Sequence, residues 1–305
     1  MKKILALIYF ALNSSAFGQI NLADSTAQTI AYWNIGEQQS YSVSFQKIAL
    51  NESDTTSNEI MTYDVDITVL DSTANSYTIE WFYQNFETNS KDEIRRKMAM
   101  VAEDVSVLIE TDEFGAFQRV INWEEVRGYV KKSIRGMFEE FDSQPEISSL
   151  INQLEGMYST KQAIEAAAIQ DVHQFHFFHS GVYELGEKYE FTMMVPNMYQ
   201  PDTPFDSNVT IYMDELDSEY YDYVLRSTMQ VDSRQLTNAV VEYLKHIDAT
   251  LGKTTSGLDE IDPLTHITTT DSRIHDSGWL IYSIQTKKVL LHNSSNIEER
   301  IIQIK

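Results

Sequence analysis

The chain has 305 residues, 42% hydrophobic and 11% aromatic, enough for one large domain or two small ones. Asp and Glu number 46 against 23 Lys and Arg; the formal charge of −23 repels phosphate backbones and anionic headgroups, which argues against nucleic-acid and peripheral-membrane binding. With no cysteine there are no disulfides, thiol chemistry or thiolate metal sites, and none of the lipidated Cys of a bacterial lipoprotein, so the core alone must hold the fold.

The start of the chain reads as a signal peptide over residues 1–18. Lys2 and Lys3 supply the charge, residues 4–12 form an apolar run too short to span a bilayer, and Ala16 and Gly18 supply small residues for cleavage before Gln19. An uncleaved anchor is the alternative. No later stretch is apolar for long enough to be a transmembrane helix. The expectation is an exported protein of a Gram-negative cell, periplasmic or secreted and not tethered by lipid.

Residues 19–29 are polar and are expected to be loose. Residues 41–45, 60–70 and 75–86 alternate apolar and polar positions, with Tyr63, Val65, Ile67 and Val69 on one face and Asp64 and Asp66 on the other. Three such strands with short polar turns predict an antiparallel meander. Over 91–102 the period turns helical. Residues 105–110 and 117–121 return to strand around a tight turn at Gly115.

Residues 122–179 predict a helical block. Asn122 is placed to cap the first helix, followed by Glu124 and Glu125 where the helix dipole favours acids. Val126, Val130, Ile134, Met137, Phe138 and Phe141 form an apolar stripe. Pro145 is expected to break it, with further helices over 147–154 and 160–172, the latter slimmed by Ala166, Ala167 and Ala168. The block ends in His173, His176 and His179. Histidines at steps of three could hold zinc or act as a pH switch, but zinc sites on helices favour an i,i+4 pair, and the helix is expected to end here, so no metal site is assigned.

A second strand-rich half follows: 183–187, 189–195, 209–216 and 221–231, then a helix capped by Ser233 and running to about 250, a loop over 251–263, and strands at 265–275, 279–284, 288–292 and 297–304. The acidic turn at 214–219 lacks the Asp-x-Asp-x-Asp-Gly spacing of a calcium loop.

The halves correspond. Ile35-Gly36-Glu37 and Leu185-Gly186-Glu187 each precede a strand, and Gly115 and Gly278 each sit in a late turn with an aromatic nearby, Phe117 and Trp279. The order β-β-β-α-β-β would then occur twice, as in a duplicated unit whose sheets join. In this order of elements the chain resembles the half-barrel carriers of Gram-negative periplasms, the lipoprotein-carrier type, and it is similar to secreted bacterial proteins of no assigned activity. The resemblance implies a curved antiparallel sheet covered by helices, with an apolar cavity between them.

The expected fold is therefore α+β: one domain over 19–305, with sheet halves at 19–121 and 180–305 and a helical insertion at 122–179 covering a large curved sheet. No Gly-x-Ser-x-Gly, His-Glu-x-x-His or phosphate-binding glycine loop is present, which weighs against an enzyme, and no cofactor is implied. The methionines, including Met98, Met100, Met157, Met193, Met194, Met198, Met213 and Met229, suggest adaptable apolar surface. The expected function is binding or carriage of an apolar small molecule or lipid, at Val126, Val130, Met137, Phe138, Phe141 and Met193. The alternatives are a cell-envelope interaction or scaffold protein, and a hydrolase whose site no motif marks.

Overall fold

The computed structural model describes residues 19–52, 54–139, 145–197, 199–200, 203–250 and 262–305. The expected signal peptide, Phe141, Met198 and most of the expected loop at 251–263 lie outside the described residues.

The strands are β1 (Ile20–Asn21), β2 (Thr26–Gln28), β3 (Gln38–Asn51), β4 (Asp54–Ser72), β5 (Ser76–Thr88), β6 (Ser106–Asp112), β7 (Phe117–Val120), β8 (Val182–Glu184), β9 (Lys188–Val195), β10 (Phe205–Asp217), β11 (Asp222–Val231), β12 (Thr265–His275), β13 (Leu280–Leu291) and β14 (Ser294–Ile304). Eleven of them form one open antiparallel sheet in the order β7-β6-β5-β4-β3-β14-β13-β12-β11-β10-β9. The fold is the expected α+β type, with a large curved sheet under a helical cover.

The period-two pattern explains the sheet. On β4 the inward Tyr63, Val65, Ile67 and Val69 are buried, while Asp64 and Asp66 face outward and bind Lys305, Ser40 and Gln84. Six bulges, among them those at Thr62/Asp64 and Val69/Asp71 on β4, break the ladders and add twist, bending the sheet into a trough. On the outer face, Arg226 and Arg273 tie Asp214, Asp271, Glu215 and Asp222 across β10, β11 and β12.

The trough is filled by α1 (Glu93–Ala99), α2 (Trp123–Phe138), α3 (Pro145–Met157), α4 (Lys161–Ala163), a π-turn (Ile164–Ala168), α5 (Gln170–His176) and α6 (Ser233–Thr250). Most of the core lies between the sheet and α2, the π-turn and α5; a smaller cluster of Phe205, Val231, Leu236, Ala239 and Leu264 sits under α6. Each half of the sheet runs as three strands, a helix and two strands, and β14 lies between β13 and β3 to join them.

Several expectations are corrected. Residues 19–29 are not loose: β1 and β2 pair with β8 in a separate small sheet, and the strap continues across the trough. Its backbone bonds to Gly181 and Ser180 at Thr29, to Phe114 at Ala31 and to Ser277 at Tyr32. Tertiary hydrogen bonds hold a segment that has little apolar pattern of its own. The expected strand at 183–187 is the short β8 of that small sheet, outside the large one.

The expected helix at 160–172 is broken. Ile164 and Ile169 are both buried, and the π-turn between them meets that five-residue spacing. The helix restarts as α5 and carries on to His176. Pro145 opens α3, because the first helical position needs no N–H. Asn122 stands at the N-cap of α2 but makes no cap bond; its amide instead holds the Leu108 N–H and the Ser106 carbonyl of β6. At α6 it is the Asp232 carboxylate that accepts from the Gln235 N–H, while the Ser233 hydroxyl donates to the Leu264 carbonyl. Finally, the strands expected at 279–284 and 288–292 are one strand, β13.

Candidate functional site

Of the six ligand residues named from sequence, the four whose side chains are described, Val126, Val130, Met137 and Met193, do not gather around one cavity. Val126 and Val130 on α2 are packed in the main core and Met137 is half-buried against it. Val130 also borders a cleft with Arg127, Asn152 and Tyr158. Phe138 closes α2, its side chain outside the described set, as is all of Phe141. Met193 lies on β9, the edge strand at the far end of the sheet, 39% exposed.

A different cavity, of about 310 Å³, opens between the helices and the inner face of β3, β4, β5, β13 and β14. Its apolar walls are Met61 on β4, Phe86 on β5, Met98 on α1, and Leu154 and Met157 on α3, with Ala168 at the end of the π-turn. The alanine keeps the helical wall thin where a larger side chain would fill the space. Phe86 stacks on Tyr63 with ring centroids 4.7 Å apart.

One end of the cavity is polar. The buried Asp171 carboxylate accepts hydrogen bonds from the Tyr63 and Tyr83 hydroxyls, each at 3.1 Å, and from its neighbour Val172 N–H. Burial, reinforced by the Asp171 charge, raises both phenols well above the ordinary tyrosine value and pushes Tyr158 up to about 12. All three therefore stay protonated and can act only as neutral hydroxyls.

Beside this carboxylate are cations from the strands. Lys287 donates to the Gln170 side chain at 2.8 Å, and burial, with Arg300 next to it, lowers its ammonium to about 8. Arg300 lies over the Phe45 ring at 5.1 Å, and its buried Nε has no hydrogen-bond partner. At the solvent side Lys47 pairs with Glu298 at 2.9 Å. Burial pushes the Glu298 carboxyl up, but Lys47, Lys287 and Arg300 outweigh it and hold the net value below the usual range. The residues sit on one rung of the sheet, Lys47 opposite Glu298 and Glu298 opposite Lys287.

Lys287 was not legible as a site residue in the sequence, because polar residues 285–287 fall between the expected strands 279–284 and 288–292. Once β13 runs through, Gln285 and Lys287 fall on inward positions. A basic residue in phase with a buried face was the available signal. Of the methionines singled out from the sequence, Met98 and Met157 line the cavity, while Met213 is core and Met194 is 70% exposed.

The three histidines each hold a different backbone carbonyl: His173 that of Glu165, His176 that of Gly115 at 2.7 Å and His179 that of Gly278 at 3.1 Å. A carbonyl only accepts, so the bonded nitrogen carries the proton and the other nitrogen is a bare acceptor. On His176 and His179 that second nitrogen is buried without a partner. Among the described residues no group of three or more His, Asp or Glu side chains is arranged to hold a metal ion. His176 and His179 thus pin the late turn of each sheet half to α5 and the turn that follows it, while His173 ties α5 back to the π-turn.

Their burial makes the fold acid-sensitive. Desolvation lowers His176 well below the ordinary value and His179 from 6.5 to about 4. The unfolded chain takes up the proton first, so this stabilisation is present above about pH 6.5 and is lost as the pH falls towards 4. For His179 alone the expected loss is about 3 kcal/mol. Urea unfolding followed across that interval checks it, and His179→Gln should flatten the decline.

No family model matches this chain. No curated protein matches either. Among solved structures it is similar to a candidate lipoprotein from Parabacteroides distasonis ATCC 8503, with 9% identity over 91% of this chain and 99% of that one and a TM-score of 0.27. It is also similar to a candidate exported protein with a YmcC-like fold from Bacteroides fragilis NCTC 9343, with 6% identity over 92% and 100% and a TM-score of 0.23. At such scores neither likeness carries an argument about activity. Among the described residues no helix is long and apolar enough to cross a membrane.

Proposed function

We propose that this is an exported, non-catalytic binding protein that holds an apolar ligand between the curved sheet and its helical cover. The observation that carries this reading is the cavity of about 310 Å³ walled by Met61, Phe86, Met98, Leu154 and Met157. Its volume reaches the lower end of small-molecule sites, roughly 300 Å³. Flexible thioethers on three of its walls suit it to chains of varied shape. Export rests on the N-terminal sequence.

Filling the cavity tests the reading. Met98 is half-buried on α1, so Met98→Trp adds bulk there at little cost to the fold. The purified protein, stripped of co-purified lipid, is expected to bind an aliphatic fluorescent probe. The variant should lose about tenfold or more in affinity while melting no lower than the parent. Equal probe binding by both proteins, or none by either, would remove the proposal.

A further inference from the structure

We infer that the ligand is a single-chain amphiphile with a carboxylate head, its head held by Lys287 and Arg300 and its tail lying along the methionine wall. This deepens the binding function proposed above and rests on it.

The charge around the cavity is the first argument. A chain of net charge −23 places three cations, Lys47, Lys287 and Arg300, against two carboxylates, Asp171 and Glu298, at the polar end of its cavity. Asp171 is already engaged by two phenols and a backbone N–H, and Glu298 by Lys47. The three cations therefore outnumber the two carboxylates by one, and the Lys287 hydrogen bond is to the neutral amide of Gln170 rather than to either carboxylate.

The second argument is the orphaned donor. A buried guanidinium N–H costs free energy unless something accepts from it, and the buried Arg300 Nε has no acceptor, so no protein acceptor at that atom offsets the Arg300 charge. An anionic head beside Lys287 would offset the charge of both residues. A neutral head would leave the ammonium unpaired, and a cationic head would add repulsion. The same lining combines these cations with Met61, Met98 and Met157, the two kinds of group that an acid with an aliphatic tail requires.

Calorimetric titration of the full exported chain with dodecanoate, 1-dodecanol and dodecyltrimethylammonium tests this. Dodecanoate is expected to bind about tenfold or more tightly than the alcohol, and the ammonium compound weakest. Lys287→Met and Arg300→Met should each erase the preference for the acid over the alcohol, and an unchanged melting temperature and far-UV spectrum report that the protein remains folded. Equal binding of acid and alcohol by the parent, both abolished in Met98→Trp, would overturn the carboxylate assignment and leave the binding function standing. A preference for the ammonium compound would overturn the assignment in the same way. Failure of all three amphiphiles to bind would remove both.

Discussion

Replacing Phe175 by alanine is expected to cost about 3–5 kcal/mol of stability, among the largest losses available to a single side chain here. Phe175 is 1% exposed on α5 and meets rings from the sheet, the strap and the turns on either side of it. Its ring stands edge-on to Tyr41 of β3 at 5.6 Å and to Trp81 of β5 at 5.4 Å, stacks on His179 at 6.0 Å, and meets Trp279 at 6.2 Å and Trp33 of the strap at 6.4 Å. Deleting it opens a cavity that these rigid rings cannot collapse to fill. Phe175→Leu, which keeps most of the volume, should cost less than half as much. Guanidinium unfolding with an unchanged m-value would record the difference. A loss below about 1 kcal/mol for the alanine variant would mean that the core is far less tightly packed around this ring than the contacts imply.

The second large effect is expected from Gly278→Ala. Gly278 has φ +83°, and a Cβ built there falls 2.3 Å from the Ile30 carbonyl oxygen of the strap, backbone against backbone. The substitution therefore combines left-handed strain with a clash that only movement of the strap or the turn can relieve. Together they should cost about 3–5 kcal/mol. Gly36→Ala separates the two causes: Gly36 has the same φ of +83° but open space around the new Cβ. That variant should lose only the strain, about 1–2 kcal/mol. If the two alanines cost the same, the strap does not press on the turn. Limited proteolysis gives an independent readout, since a displaced strap would expose residues 19–35 to cleavage in Gly278→Ala and not in Gly36→Ala.

The strap also shows where sequence patterning stops being informative. Residues 19–29 carry no apolar period, so nothing local predicts order. Their order comes from partners distant in the chain: the Tyr223 hydroxyl on Thr29 at 3.0 Å, the backbone of Ser180 and Gly181 on Thr29, and β8 alongside β2. The helical block is a contrasting case. The α2 stripe of Val126, Val130 and Ile134 was readable because all three are buried in the main core at a regular helical spacing. The element after it was not, because burial of Ile164 and Ile169 forces a π-turn that a 3.6-residue period does not anticipate.

The candidate site divides in the same way. That apolar ligand surface would lie between sheet and helices could be argued from the meander pattern and the methionines, and Met98 and Met157 were among the residues singled out. Choosing the α2 stripe as the lining followed from treating its whole apolar face as available. In the structure Val126 and Val130 are consumed by the core, while the open space lies further along, where α1, α3 and the π-turn meet β4 and β14. No local pattern says which part of an apolar face will be matched by an opposing surface and which part will be left with a gap.

By itself the sequence determined the strand periodicity, the position of the helical block, the glycine turns and the expectation of export, because each depends on residues near one another in the chain. The tertiary structure alone decided that Asp171 from α5, Lys287 from β13 and Arg300 from β14 meet at one end of a cavity. It also decided that His176 and His179 are structural pins for the turns at Gly115 and Gly278. Those groups are brought together by strand register and by the order in which the two sheet halves join through β14. A slip of one residue in β13 would turn Lys287 out to solvent, since successive side chains on a strand point to opposite faces.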